Sequence, residues 1–247
     1  MIRKNCCKIL INFIIYSIIG FFMETVYAIF TKGLIESRKS FLYGPFCIVY
    51  GLAAIILILS LNKIKGQKVK LFIYGMILGC MVEYITSYIG EAICHIKWWD
   101  YSDAFLNING RTCLYYAVIW GFLSIILIEK VNPFFDNIIS NILSKDSINI
   151  AKLTTFSIIA FMIFDAGISI YAIDNFLLRV SQNYNINING IDKSKVSNLN
   201  INKIYSNDRM MMNYPNIIIV NDSGDKIYLE SILSDVKNYY YSFNNKF

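Results

Sequence analysis

Three carboxylates interrupt what would otherwise be unbroken apolar chain: Glu24, Glu83 and Asp165. An ionised group at the centre of a bilayer costs roughly 2.5–3.5 kcal/mol even on the lenient insertion scale. A chain keeps such groups where they face one another, a cation or water. Glu91 lies further along the same run as Glu83, and the loop beyond it carries Trp99, Asp100, Tyr101, Asn107 and Arg111. Carboxylates gathered with an arginine suit two kinds of chemistry, binding of a polar solute and acid–base transfer of a proton. For any one of these acids a helix–helix hydrogen bond is the plainer role. For Glu24, Glu83 and Glu91 together, a shared polar cavity is favoured.

Other chemistries lack their residues. No G-x-x-x-x-G-K-[ST] stretch is present to cradle phosphates. His95 is the single histidine, and Cys6, Cys7, Cys47, Cys80, Cys94 and Cys113 show no C-x-x-C spacing. Neither a structural zinc site nor any other cofactor is therefore expected. Cys47 and Cys113 fall near span ends on one side, where a disulfide would be one outcome. No Ser/His/Asp grouping occurs, so the chain does not read as an enzyme. Only 16% of residues are charged, against about 25% in soluble domains. The basic residues cluster between apolar runs, which fits topology signals and not a nucleic-acid surface.

The elements that must position these groups are membrane helices. Apolar runs cover residues 9–30, 46–61, 71–94, 113–128 and 151–178. About 20 helical residues cross a hydrocarbon core of about 30 Å. The first, third and fifth runs are long enough, while the second and fourth must borrow from their flanks. The fold expected is an all-α membrane protein, a bundle of about five transmembrane helices over residues 1–178. Residues 179–247 form a small extracytoplasmic C-terminal tail, partly disordered or a hairpin. Lys and Arg in alternate loops number ten on the N-terminal side and five on the other. By the positive-inside rule the N-terminus is cytoplasmic and the tail outside.

Helix faces sharpen the picture. Gly75, Gly79, Glu83, Ser87 and Glu91 recur every four residues and form one stripe, with His95 a step beyond as an interfacial hydrogen-bonder. Gly75 and Gly79 make a G-x-x-x-G that admits a close helix neighbour. Ser17, Gly20, Glu24 and Tyr27 share a face in the first run, as do Cys113, Ala117, Gly121 and Ser124 in the fourth. After Pro133, one face of a short helix carries Phe134, Phe135, Ile138, Ile139, Ile142 and Leu143, as an interfacial or partner-docking segment would.

Residues 41–51 read F-L-Y-G-P-F-C-I-V-Y-G, Glu83-Tyr84 and Glu91 follow, then Trp99-Asp100-Tyr101-Ser102, then Asn107, Gly110-Arg111 and Cys113-Leu114. In order and spacing these resemble a bacterial family of ABC-transporter permeases, type IV (CmpB-like polytopic membrane proteins), over about residues 10–130. Ile48 replaces the family's proline after the cysteine, Lys39-Ser40 its Arg-Gly, and Phe105 a loop proline, which bears on local loop shape. The resemblance implies a multi-pass protein of the bacterial cell membrane, partnered by the lipid bilayer and a separate ATPase subunit. It leaves room for a homo-oligomer and supplies no substrate.

Three functions follow in order. The first is a transport component with a polar outer-leaflet cavity. The second is a membrane-embedded enzyme acting on a lipid or envelope precursor, and the third a non-catalytic membrane partner or sensor. In the tail, residues 216–220 and 226–229 flank Asp222-Ser223-Gly224-Asp225, the pattern of a hairpin.

Overall fold

A computed structural model describes residues 2–33, 35–144, 148–188, 190–195, 199–221 and 223–229. The chain is mostly helical. Its helices are α1 (Ile2–Lys32), α2 (Ile48–Leu61), α3 (Lys68–Cys94), α4 (Leu114–Ile126), α5 (Asn132–Ser144), α6 (Ile148–Tyr184), α7 (Leu199–Ile204) and α8 (Asn207–Asn213). Among the described residues there are also three short strands, β1 (Ile96–Lys97), β2 (Ile218–Val220) and β3 (Lys226–Tyr228). Among the described residues, four helical stretches are long and apolar enough to cross a membrane: Asn5–Lys32, Lys68–Cys94, Leu114–Leu143 and Ile148–Tyr184. The second apolar run, Ile48–Ile64, remains short of that length.

The fourth run borrows its missing length in an unexpected way. A π-helical turn, Leu127–Val131, joins α4 directly to α5. The stretch after Pro133 is therefore no separate interfacial helix. Pro133 is tolerated because it occupies the second residue of α5, where the adjoining π turn has already broken the regular ladder. The amphipathic face also divides. Ile139 and Leu143 are buried with Phe135 against Cys7, Ile11 and Ile15, while Phe134, Ile138 and Ile142 stay exposed.

Two compact units divide the chain. The first comprises Met1–Phe22, Pro45–Thr86 and Tyr101–Phe164. Its core joins Ala53, Leu57 and Leu61 of α2 to Leu71 and Val82 of α3, Trp120 of α4 and Ile128. Small residues allow this approach. A Cβ on Gly75 would strike the Ser124 side chain, and one on Gly79 the Trp120 side chain, so α4 is the neighbour that the G-x-x-x-G admits. Ser124 Oγ donates to the main-chain carbonyl of Leu71 at 2.7 Å, adding a polar tie at the same crossing.

The second unit comprises Met23–Gly44, Ser87–Asp100 and Asp165–Phe247. Its core gathers Ala172, Ile173, Phe176, Leu177 and Val180 of α6 with Ile96, Tyr205, Met210, Tyr214 and Ile219. This section of α6 is sheathed by protein, whereas Ile150, Leu153, Phe156, Ile163 and Phe164 earlier in the helix are exposed, as lipid contact requires. The 37 residues of α6 span about 55 Å at the standard rise, well beyond one hydrocarbon core. β2 and β3 pair antiparallel with Ile219 opposite Ile227, so the hairpin pattern in the tail forms, and β1 adds to the far edge of β2. Asp222 of the turn and residues 230–247 lie outside the described residues, as does Lys145.

All six cysteines are free thiols. Cys47 and Cys113 are therefore not joined; each precedes the first turn of a helix, α2 and α4, and is buried there.

Candidate functional site

The loop after β1 builds its own frame before it meets any helix. Asn109 and Gly110 both adopt positive φ, +53° and +66°, the pair of conformations a two-residue type I′ turn demands. Arg111 N–H donates to the Ile108 carbonyl at 3.0 Å, closing the turn, and Ile108 N–H donates to the Thr112 carbonyl at 2.9 Å behind it. Asn107 locks it from within. Its Nδ2 donates to the carbonyls of Ser102 (2.9 Å) and Ala104 (3.0 Å), and its Oδ1 accepts the Gly110 N–H at 3.1 Å. Asn107 thus acts through the backbone of its own loop.

This frame presents two hydroxyls to Glu83, which is only 6% exposed. Thr112 Oγ1 donates to Glu83 Oε2 at 2.8 Å, and the Tyr101 hydroxyl to Oε1 at 3.2 Å. Tyr101 is held by stacking on Tyr116, ring centroids 4.4 Å apart. The adjacent Tyr84 grips the other half of the same loop. Its hydroxyl accepts from Asn109 Nδ2 at 2.9 Å, and the Arg111 guanidinium lies 5.8 Å from its ring centre. The Glu-Tyr pair of α3 is thereby explained: consecutive side chains hold the two sides of one loop. Glu83, Tyr101, Asn107 and Arg111 all belong to the first unit.

Glu24, Glu91, Trp99 and Asp100 belong to the second unit. Glu24 is half-buried on α1. Glu91 faces Lys97 Nζ at 3.7 Å, and Asp100 pairs with Lys226 Nζ at 2.6 Å, so each acid has a cation that the linear pattern does not reveal. Trp99 is half-buried between Trp98 and Asp100 in the same loop. His95 ends α3 with φ +57°, its main-chain N–H donating to the Glu91 carbonyl at 2.9 Å.

The second unit also organises Asp165, absent from the candidate cavity residues although its burial in an apolar run is legible. Asp165 is fully buried. Both its oxygens accept the Tyr43 N–H, at 3.1 and 3.0 Å, and Ser169 Oγ donates to Oδ1 at 3.3 Å. Ser169 in turn accepts the Leu42 N–H at 2.8 Å. The pair one helical turn apart thus satisfies the backbone of the F-L-Y-G segment, which has no partner strand or helix of its own. Lys39 Nζ caps the Leu42 carbonyl at 2.7 Å. Burial pulls the Lys39 ammonium below the usual lysine range, Asp165 opposes that, and Arg209 reinforces it. The hydroxyls of Tyr43 and Tyr205 share a hydrogen bond of 2.7 Å. Burial, with that bond second, pushes the Tyr205 phenol up to about 12. The i, i+4 spacing of Asp165 and Ser169 is the signal that could have marked them.

Glu36 is a further buried acid, paired with Arg38 at 2.8 Å and Lys32 at 3.1 Å. The first unit also holds an open groove of about 500 Å³ between α1 and α6, with Ile14, Ile18, Phe46, Leu153, Ser157 and Phe161 among its walls. It is apolar and contains none of the eight residues expected to line a polar cavity.

Residues 11–170 match a family model described as "Putative ABC-transporter type IV". That span takes in the loop around Glu83 and extends through Asp165 and Ser169. No curated protein and no solved structure matches the chain.

Proposed function

The chain belongs to the ABC-transporter type IV family, and on that premise we propose that it is the permease-like membrane component of a transport system, with Glu83 as the polar contact for its solute. One observation carries this reading: a carboxylate buried in a membrane helix whose oxygens are held by side-chain hydroxyls, Thr112 and Tyr101. Hydroxyls rotate and can be exchanged for those of a solute without moving the backbone. Arg111, fixed over Tyr84 in the same loop, supplies a cation in the same unit. The second unit, taken by itself, offers Glu24, Glu91, Trp99 and Asp100 as further candidate solute contacts. The N-terminus is cytoplasmic, the tail extracytoplasmic, and ATP hydrolysis belongs to a separate subunit, since the chain has no phosphate-cradling loop.

The test is purification of the tagged full chain from its native membrane in mild detergent. A subunit with nucleotide-binding motifs and vanadate-sensitive ATPase activity should accompany it. Glu83→Gln should leave membrane yield and that association unchanged while lowering the ATPase activity at least tenfold. A chain that carries no ATPase even after cross-linking in the membrane, or a Glu83→Gln variant with wild-type activity, overturns the proposal.

A further inference from the structure

Five lysines gather around one turn, and above they count only as topology signals. Lys63 and Lys65 occupy the connection between α2 and α3, Lys68 and Lys70 the first turn of α3, and Lys130 lies in the π turn. All five are exposed. Among the described residues none forms an ion pair. Mutual repulsion would splay such a set on a floppy loop, yet this one is pinned. After the 3₁₀ turn Asn62–Ile64, Gly66 takes φ +91°, a conformation closed to most side chains. Its N–H then donates to Glu129 Oε1 at 2.6 Å, across 63 residues of sequence. The carboxylate that could have neutralised a lysine instead holds the backbone that displays them.

The surroundings of the turn specify what it meets. It stands where α3, a membrane-spanning helix, begins at Lys68. Exposed apolar side chains accompany the lysines: Leu59, near the end of α2, is 60% exposed, and Val69, between Lys68 and Lys70, is 73% exposed. Ammonium groups on flexible stems beside bare hydrocarbon match the boundary between phosphate and acyl chain in a bilayer. A protein partner with an acidic groove would leave Leu59 and Val69 uncovered unless it also entered the lipid. We propose that this turn is a docking surface for anionic phospholipid headgroups, gripped by Lys63, Lys65, Lys68, Lys70 and Lys130. The proposal is independent of transport.

The purified full chain in zwitterionic micelles, titrated with acyl-labelled phosphatidylglycerol or phosphatidylcholine, tests it. A lysine near an anionic surface contributes about fivefold in affinity. Replacing all five by Gln should therefore cut the preference for phosphatidylglycerol at least tenfold, and replacing all five by Arg should retain it. Raising salt to about 0.5 M should lower the wild-type preference, a readout that needs no variant. An unchanged preference in the Gln variant, or a salt-independent one in the wild type, overturns the proposal. So does loss of a co-purifying acidic protein in the Gln variant while lipid preference stays intact.

Discussion

Glu83 and Asp165 are both buried acids in apolar helices, and they are satisfied in opposite ways. Glu83, in the first unit, accepts from two side-chain hydroxyls. Asp165, in the second, accepts a main-chain N–H on both oxygens and leans on Ser169. A hydroxyl can turn to another acceptor at the cost of one torsion. A backbone N–H cannot leave without moving its segment, and a buried N–H left unpaired is expensive. The difference separates two roles that an acid in a membrane helix can take. Asp165 fastens the F-L-Y-G segment, whereas Glu83 is held by partners that can be exchanged.

The contrast can be broken most directly at Asp165. Asp165→Ala strands the Tyr43 N–H and should destabilise the protein by about 1–3 kcal/mol, read as a lower melting temperature in detergent. Asp165→Asn keeps one acceptor oxygen and should fall between. An Asp165→Ala protein that melts like wild type would remove the fastening role.

Smaller losses are expected around Glu83. Thr112→Val and Tyr101→Phe each delete one hydroxyl donor, for about 0.6–1.7 kcal/mol on the scale of membrane hydrogen bonds. Thr112→Val should be the larger, since its bond is 2.8 Å against 3.2 Å. Thermal melting of the two variants side by side ranks them, and a reversed order would contradict the geometry.

The smallest effect belongs to the tyrosine pair. Tyr43→Phe removes the bond to Tyr205 for about 0.5–1.5 kcal/mol. The Tyr205 phenol, now at about 12, should move toward the ordinary value of about 10 without reaching it, because burial is the larger cause. Ultraviolet difference titration of Tyr43→Phe, with Tyr205→Phe as the blank, measures this. The raised value also fixes a sign. The folded state holds this proton more tightly, so its stabilisation is complete below about pH 10 and disappears as pH rises through about 12. Denaturant unfolding of the wild type compared with Tyr205→Phe across that window should show the gap closing.

The helical class is legible in the sequence because long apolar runs leave the backbone no alternative in lipid. Glu83 is conspicuous for the same reason, a charge where none should be. Its partners are not, since hydroxyls 18 and 29 residues away reach it only through the Asn109-Gly110 turn and the Asn107 lock. Glu91 and Asp100 look alike as acids near a loop, yet Lys97 and Lys226 meet them by way of a small sheet whose strands are two or three residues long. Strands so short carry almost no periodic signal. The π turn was equally invisible. Nothing in Leu127–Val131 distinguishes it from ordinary helix, and Pro133 suggests a break where the chain continues.

That wide turn has a consequence for how this helix can change. Bonds from i to i+5 accommodate one residue more than an α-helical turn does, and each residue sets the following helix by about 100°. Deleting any one of the five residues from 127 to 131 would restore an ordinary ladder and leave α5 in its present phase. Tightening the turn to α with all five residues kept would instead dial α5 round by that angle. Phe135, Ile139 and Leu143 would then lose their seat against Cys7, Ile11 and Ile15. The widened turn is the gear tooth that takes up the extra residue and keeps α5 in phase.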